Sequence, residues 1–486
     1  MFRFMLLSSL ISINFIYSGI PTSEKEIISV VNQIIQYSHE PSFQKVWKGF
    51  DMTDSPILIT FANGHTFAFN KTVNKEKERN IWQKQTLGTL KFLFSPKDYW
   101  NASPIPFQAQ FNLEGERVYL FSMEPVLKGD INAFHIFIHE RFHNYQFSHF
   151  TMSKEGPGQY LDQNNLENLA LIQVEERLLI QFLQDSDEKR ERLLDFIAVG
   201  SVRRALIDPL SVLWEDHQQV MEGLAEYVSF KTLDYLPNLS PNSGAKNLIS
   251  LLERYVENSQ IAERAPKLRH YGVGATLGFA LDDQNIDDWK GKIERNEASL
   301  FEILKGALAL TPKEINQRLM EVMIRFGFSQ IYQNVQASLL AYETNLNRLV
   351  DTYQHTEGVE ISITSPRRLP LSGKGSTSKQ LSLPNGSNLF VEDSSVFSTA
   401  DQSWRLELIK QPLVFQNRTG ERKFKCKEIT EIELDGRKIQ MKEVLTKKMN
   451  RPFHSIKVRG KGANFFSNGN AGLISGETGK ISIKFH

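Results

Sequence analysis

The chain has 486 residues, which at roughly 150 residues per domain allows two or three folded units. Hydrophobic residues make up 41% and charged residues 23%, an ordinary balance for a globular chain whose core needs no covalent staples. A formal net charge of +1 gives no overall basic excess for holding nucleic acid, and a single cysteine, Cys426, excludes an intramolecular disulfide.

In chain order, Arg3 precedes a diluted apolar run from Met5 to Tyr17, and Ser18-Gly19 offers small residues for cleavage. This pattern predicts an export signal over residues 1–19 and a secreted, periplasmic or otherwise extracytoplasmic protein. The run is too short and too polar to span a membrane, and no other segment is apolar for long enough. Ser23-x-x-Glu26 is a capping box, followed by Ile27, Val30, Val31, Ile34 and Ile35 at helical spacing. Strand-like runs follow at Pro56–Phe61, His65–Asn70 and Arg117–Ser122.

From Asp130 the periodicity becomes helical. Helices are predicted from Asp130 to about Phe150, at Leu166–Phe182, at Arg190–Val199 and as one long element at Leu210–Leu233. Thr311-Pro312-Lys313-Glu314 combines a cap, a proline at the first helical position and a glutamate two residues further on. That helix stops near Gly327, and another runs from Ser329 to about Gln354. After Gly358 helical spacing gives way to short alternating runs at Val359–Thr364, Gln380–Leu383, Trp404–Ile409, Lys423–Leu434, Lys438–Lys442, Ser455–Val458 and Lys480–Phe485. Asp435-Gly436 lies between two such runs and signals a tight hairpin. Cys426 reads as a strand residue. The expected fold class is α+β. A signal (1–19) precedes a mostly helical domain with a small N-terminal sheet (20–357), and an all-β, sandwich-like domain follows (358–486).

His139-Glu140-Arg141-Phe142-His143 is an H-E-x-x-H motif. Residues four apart share a helix face, so both imidazoles can reach one metal ion. Glu140 lies beside that face, where it can take a proton from a metal-activated water without being a ligand. A catalytic zinc takes three protein ligands. The candidate for the third lies in Met221-Glu222-Gly223-Leu224-Ala225-Glu226-Tyr227, where two glutamates four apart can face the histidines if the helices pack antiparallel. One can bind metal while the other holds a histidine N–H. The competing reading is a solvated helix face, since Glu215 and Asp216 lie upstream.

H-E-x-x-H followed by E-G-x-A-E-Y resembles the gluzincin metallopeptidases, the group of thermolysin and aminopeptidase N. The resemblance implies zinc as cofactor and a peptide or protein substrate. It makes His139, His143 and Glu222 the ligands, Glu140 the base, and Glu226 the carboxylate behind the ligands. His270-Tyr271-Gly272-Val273-Gly274-Ala275 resembles the Tyr-x-x-Gly-Ala stretch of aminopeptidase N relatives. That likeness gives Tyr271 the role of oxyanion donor, with His270 as the alternative. The aminopeptidase amine-binding motif is absent; Ser122-Met123-Glu124-Pro125 echoes it only weakly, so exopeptidase specificity is not implied. The gap between His143 and Glu222 is far longer than in aminopeptidase N, and the helices over Leu166–Val199 are expected to fill it. Trp47-Lys48-Gly49-Phe50-Asp51, taken with the motif helix, also resembles uncharacterised exported bacterial proteins with a peptidase-like domain.

His135, one turn before His139, reads as a packed or exposed histidine. His149 suits a helix C-terminus, and His217, five positions before Glu222, lies about 140° off its face, with an approach from the rim of the expected cleft as the lesser reading. Two rival readings stand beside the peptidase. One is an exported binding protein with a vestigial or structural metal site that recognises its ligand through the β domain. The other is a metal-free helical scaffold. Oligomeric state is not legible.

Overall fold

The computed structural model describes residues 41–485 outside the segments 52–55, 61–65, 70–82, 88–89, 96–106, 114–115, 123–132, 152–159, 185–186, 235–241, 258–260, 356, 365–371, 377–378, 383–386, 399–403, 409–410, 417–420, 427, 441–442, 445–448, 462 and 478–479. The expected export signal, the capped helix from Ser23, the Asp130 cap and most of Ser122–Pro125 lie outside the described residues. The architecture is α+β, with helices and a small sheet followed by a curled β region. The chain divides into two compact units, and among the described residues the first ends at Tyr342 and the second begins at Glu343.

Among the described residues the first unit begins with α1 (Pro41–Val46) and a six-stranded sheet. The strands are β1 (Ile57–Thr60), β2 (Thr66–Phe69), β3 (Gln83–Leu87), β4 (Leu90–Ser95), β5 (Phe107–Leu113) and β6 (Glu116–Ser122), in the order β3-β4-β2-β1-β6-β5. Only β1, β2 and β6 were marked by their residue pattern. Apolar β1 and β2 are buried where they lie, inside the sheet. Of its edge strands, β3 is mostly polar (Gln-Lys-Gln-Thr-Leu), whereas β5 alternates apolar and polar residues from Phe107 to Leu113, a pattern the sequence reading missed.

The helical part comprises α2 (Ala133–His149), α3 (Leu166–Gln184), α4 (Lys189–Leu206), α5 (Pro209–Gln218) and α6 (Leu224–Leu233), then α7 (Ser243–Glu257), α8 (Ile261–Arg264) and α9 (Arg269–Asp283). α10 (Trp289–Glu294), α11 (Leu300–Leu308), α12 (Pro312–Arg325) and α13 (Phe328–His355) complete the series. Thr311 caps α12 in the expected reciprocal capping box with Glu314.

The long helix expected over Leu210–Leu233 is interrupted. Gln219–Gly223 form a π-turn that joins α5 to α6. Its wider turn takes up an extra residue and breaks the side-chain phase. In a regular helix Glu215 and Glu222, seven apart, would share a face; here they meet different partners.

The packing behind α2 is aromatic. Phe142 meets Trp47 and Phe50 edge-on, with ring centres 5.0 and 5.2 Å apart. The Trp47 indole N–H donates to Glu294 at 2.7 Å, and the Tyr145 hydroxyl donates to the same carboxylate oxygen at 2.9 Å. Gly49 adopts a φ of 86°, in the left-handed region that glycine enters without strain. The Trp47–Phe50 segment thus clamps the aromatic flank of α2 formed by Phe142 and Tyr145.

In the second unit twelve strands among the described residues form one hydrogen-bonded sheet, from β7 (Val359–Thr364) to β18 (Lys480–Phe485). Its path includes β10 (Ser387–Ser398), β12 (Gln411–Gln416), β13 (Glu421–Cys426) and β17 (Ala463–Glu477). β11 (Trp404–Leu408) pairs with both β10 and β17, which lie at distant places along this path. The sandwich-like region is therefore a single sheet curled back on itself. Alternate residues such as Ile361, Ile363, Phe424, Ile481 and Ile483 fill its core, with Cys426 buried among them as a free thiol. The Asp435-Gly436 turn forms as expected. Both residues have positive φ, 49° and 76°, and the flanking Leu434 and Arg437 are paired across the hairpin.

Candidate metal centre

The centre lies where α2 and the π-turn–α6 segment cross. Three contacts fix their direction: the Ser229 hydroxyl donates to the His135 carbonyl, Glu226 meets His139, and Gln146 reaches the Val220 carbonyl. Ascending numbers on one helix meet descending numbers on the other, so the two run antiparallel.

His139 Nε2 and His143 Nε2 are 3.1 Å apart, and Glu222 Oε2 is 3.5 Å from each. Ligand atoms about 2 Å from one tetrahedral ion lie about 3.3 Å from each other. The spacing of the three atoms fits that requirement, and two imidazoles with one carboxylate are a suitable donor set for a divalent metal. Among the described residues His139, His143 and Glu222 form the group that could hold a metal ion.

The atoms not aimed at this point are also held. His139 Nδ1 lies 3.1 Å from Glu226 Oε2, so an Nδ1–H donating there leaves Nε2 free for a ligand bond. His143 Nδ1 lies 2.8 Å from Gln146 Oε1, and Gln146 Nε2 donates to the Val220 carbonyl of the π-turn at 2.7 Å. Gln146 therefore couples the second histidine to the turn that carries Glu222. The other Glu222 oxygen faces Lys267 Nζ at 3.5 Å. Sequence reading missed both Gln146 and Lys267. Gln146 left a faint sign in its three-residue spacing from His143, whereas Lys267 left none.

Charge reinforces the arrangement. Burial opposes ionisation of Glu222 and Glu226, but hydrogen bonds and charge from the histidines outweigh it and hold both carboxyls far below their usual range. Burial likewise opposes protonation of His139, yet the two glutamates prevail and hold it up at about 10. Two carboxylates thus draw positive charge to the point between the rings.

Glu140 is half-buried beside this point, close enough for its charge to act on His139. The Tyr271 ring lies nearly parallel to that of His139, with centres 5.8 Å apart. Burial, then the Glu222 charge and a hydrogen bond to it, push the phenol far above its usual range, so it keeps its proton. His270, the alternative donor, is fully buried instead. Burial and the Arg269 charge hold it down to about 3, so its ring is neutral near pH 7. Burial lowers His217 while the Glu222 charge partly restores it. Glu226 is buried, which removes the solvated-face reading, and so is Glu215.

Glycines let the helices approach closely enough to assemble these groups. A Cβ on Gly223 would stand 2.5 Å from Gly274 Cα and 2.7 Å from the His270 carbonyl. A Cβ on Gly274 would stand 2.5 Å from the Gln219 carbonyl. These are backbone atoms and cannot swing aside. Gly274→Ala is therefore expected to cost about 1–3 kcal/mol of stability, as overpacking does. It should also weaken metal binding, because it pushes the π-turn away from α9. Thermal unfolding and metal titration on the purified variant check both effects.

The scan against family models found no match, nor did the search of curated proteins or that of solved structures. Among the described residues no helix is long and apolar enough to cross a membrane.

Proposed function

We propose that the chain is a secreted zinc-dependent peptidase of the gluzincin type. The observation that carries this reading is the convergence of His139, His143 and Glu222, with Glu226 fixing the far side of His139. A zinc ion held by the three ligands supplies Lewis acidity and brings the pKa of water down to about 7. The residues then divide the work. Glu140 takes the proton from the attacking water and returns it to the departing amine. The Tyr271 hydroxyl, kept protonated, donates to the carbonyl oxygen as negative charge builds there. Glu226 and Gln146 hold the Nδ1 sides of both imidazoles, so that each Nε2 stays aimed at the metal position.

Metal analysis joined to a peptide-library assay tests the reading. The expected result is one zinc per chain and hydrolysis that stops with a chelator and returns with zinc. His143→Ala should abolish stoichiometric zinc and hydrolysis together. Purified protein without zinc affinity, or hydrolysis indifferent to chelator, would overturn it.

A further inference from the structure

We infer that His135 is a positioning residue of the metal centre, acting through Glu226; the inference rests on the metal reading above. His135, His139 and His143 recur every fourth residue along one face of α2. The last two turn their Nε2 atoms toward each other. His135 does not join them. Its Nε2 stands 2.9 Å from Glu226 Oε2, the same oxygen that lies 3.1 Å from His139 Nδ1.

One buried oxygen thus lies between two imidazoles, in the order His135–Glu226–His139: the His139 contact is a hydrogen bond, and the His135 contact is a close charge contact without hydrogen-bond alignment. A carboxylate with a single partner can rotate about its terminal bond. A carboxylate oxygen pinned from both sides cannot rotate without losing both contacts, so it holds His139 in one tautomer and one orientation. α6 grips His135 with three residues on one of its faces. Glu226 Oε2 stands close to the ring nitrogen, Ser229 donates to the His135 carbonyl at 2.8 Å, and the Phe230 ring lies 4.5 Å from the imidazole. The carboxylate and the Phe230 ring confine the imidazole, while Ser229 ties its backbone to α6. The expectation of a merely packed or exposed histidine misses this role, because the partner lies on a distant helix.

The test uses the full chain. Zinc affinity is measured by competition with a chromophoric chelator, and the visible spectrum is recorded for the cobalt-loaded protein. His135→Leu is expected to weaken zinc binding by about tenfold or more, the lower end of the range for partners behind the ligands. It should also change the cobalt spectrum. His135→Gln, whose side-chain amide can still donate to Glu226, should largely restore both. Because His135 acts through Glu226, His135→Leu added to Glu226→Gln should weaken binding little beyond Glu226→Gln alone. If His135→Leu does not fold, His135→Asn, too short to reach Glu226, takes its place.

A role in packing alone would leave the spectrum of the folded, loaded protein unchanged. Parental affinity and spectrum in His135→Leu, or fully additive losses in the double variant, would overturn the inference while leaving the metal reading intact. Failure of the parent chain to bind zinc would overturn both.

Discussion

Glu140→Gln is expected to leave the chain folded and loaded with metal while peptide hydrolysis falls by about 10²–10⁴-fold, the usual contribution of a general base. The reason is geometric. Glu140 lies outside the group of three ligands, so its charge can be removed without removing a metal contact. Gln has almost the same shape but cannot accept the proton. The loss should appear mainly in kcat, since the residue acts on the reacting water and not on substrate binding. Zinc content and steady-state kinetics on the same preparation separate the two effects. Hydrolysis at the parental rate would remove Glu140 from the reaction. Loss of zinc would instead make it a support of the site.

The second large effect concerns stability. Behind the metal centre, three arginines and three glutamates are packed with almost no exposure. Arg203 holds Glu215 through two bonds of 2.8 and 2.6 Å and Glu175 at 2.7 Å. Arg269 reaches Glu175 at 2.7 Å and Glu215 at 3.3 Å, and Arg264 pairs with Glu176. The six formal charges cancel. This network ties α3, α4 and α5 to α8 and α9, and so links the helices between His143 and Glu222 to the helix that carries Tyr271.

Glu215→Gln should cost about 3–5 kcal/mol, because it leaves Arg203 and Arg269 with uncompensated charge away from water. Denaturant unfolding followed by helical circular dichroism measures the loss. The pH dependence has a definite sign. Burial would raise the Glu215 carboxyl, but the two arginines overcome it and hold it well below the usual 4.5. Its stabilisation is therefore complete above that value and drains away as pH falls through the depressed one. The variant should lack this part of the acid destabilisation. A Glu215→Gln protein as stable as its parent would show that the network contributes nothing net.

The fate of Glu215 shows where sequence reading reached its limit. Its neighbour Asp216 and its helix made it look solvated. Nothing local announces that Arg203 and Arg269, on two other helices, will enclose it. The π-turn adds to the difficulty. A regular helix is the simplest reading of Leu210–Leu233, and only packing reveals the extra residue that turns Glu215 to the arginines and Glu222 to the histidines. The glycines of the Glu222-Gly223 and Tyr271-Gly272-Val273-Gly274 segments were legible as motif letters. Their physical task, a backbone-to-backbone crossing at Gly223 and Gly274, was not.

What the sequence determined by itself is what depends on near neighbours. Four-residue spacing aligned His139 with His143, the Thr311–Glu314 cap started its helix, Asp435-Gly436 made its hairpin, and alternation after Gly358 made strands. These follow from the pitch of a helix and the pleat of a strand, which act within a few residues. Tertiary structure alone decided which buried charges met. It brought Glu222 to the histidines, set Glu226 between His135 and His139, and closed the arginine–glutamate network. A charge leaves water only where a distant partner repays its lost hydration, and that partner is set by how whole helices pack.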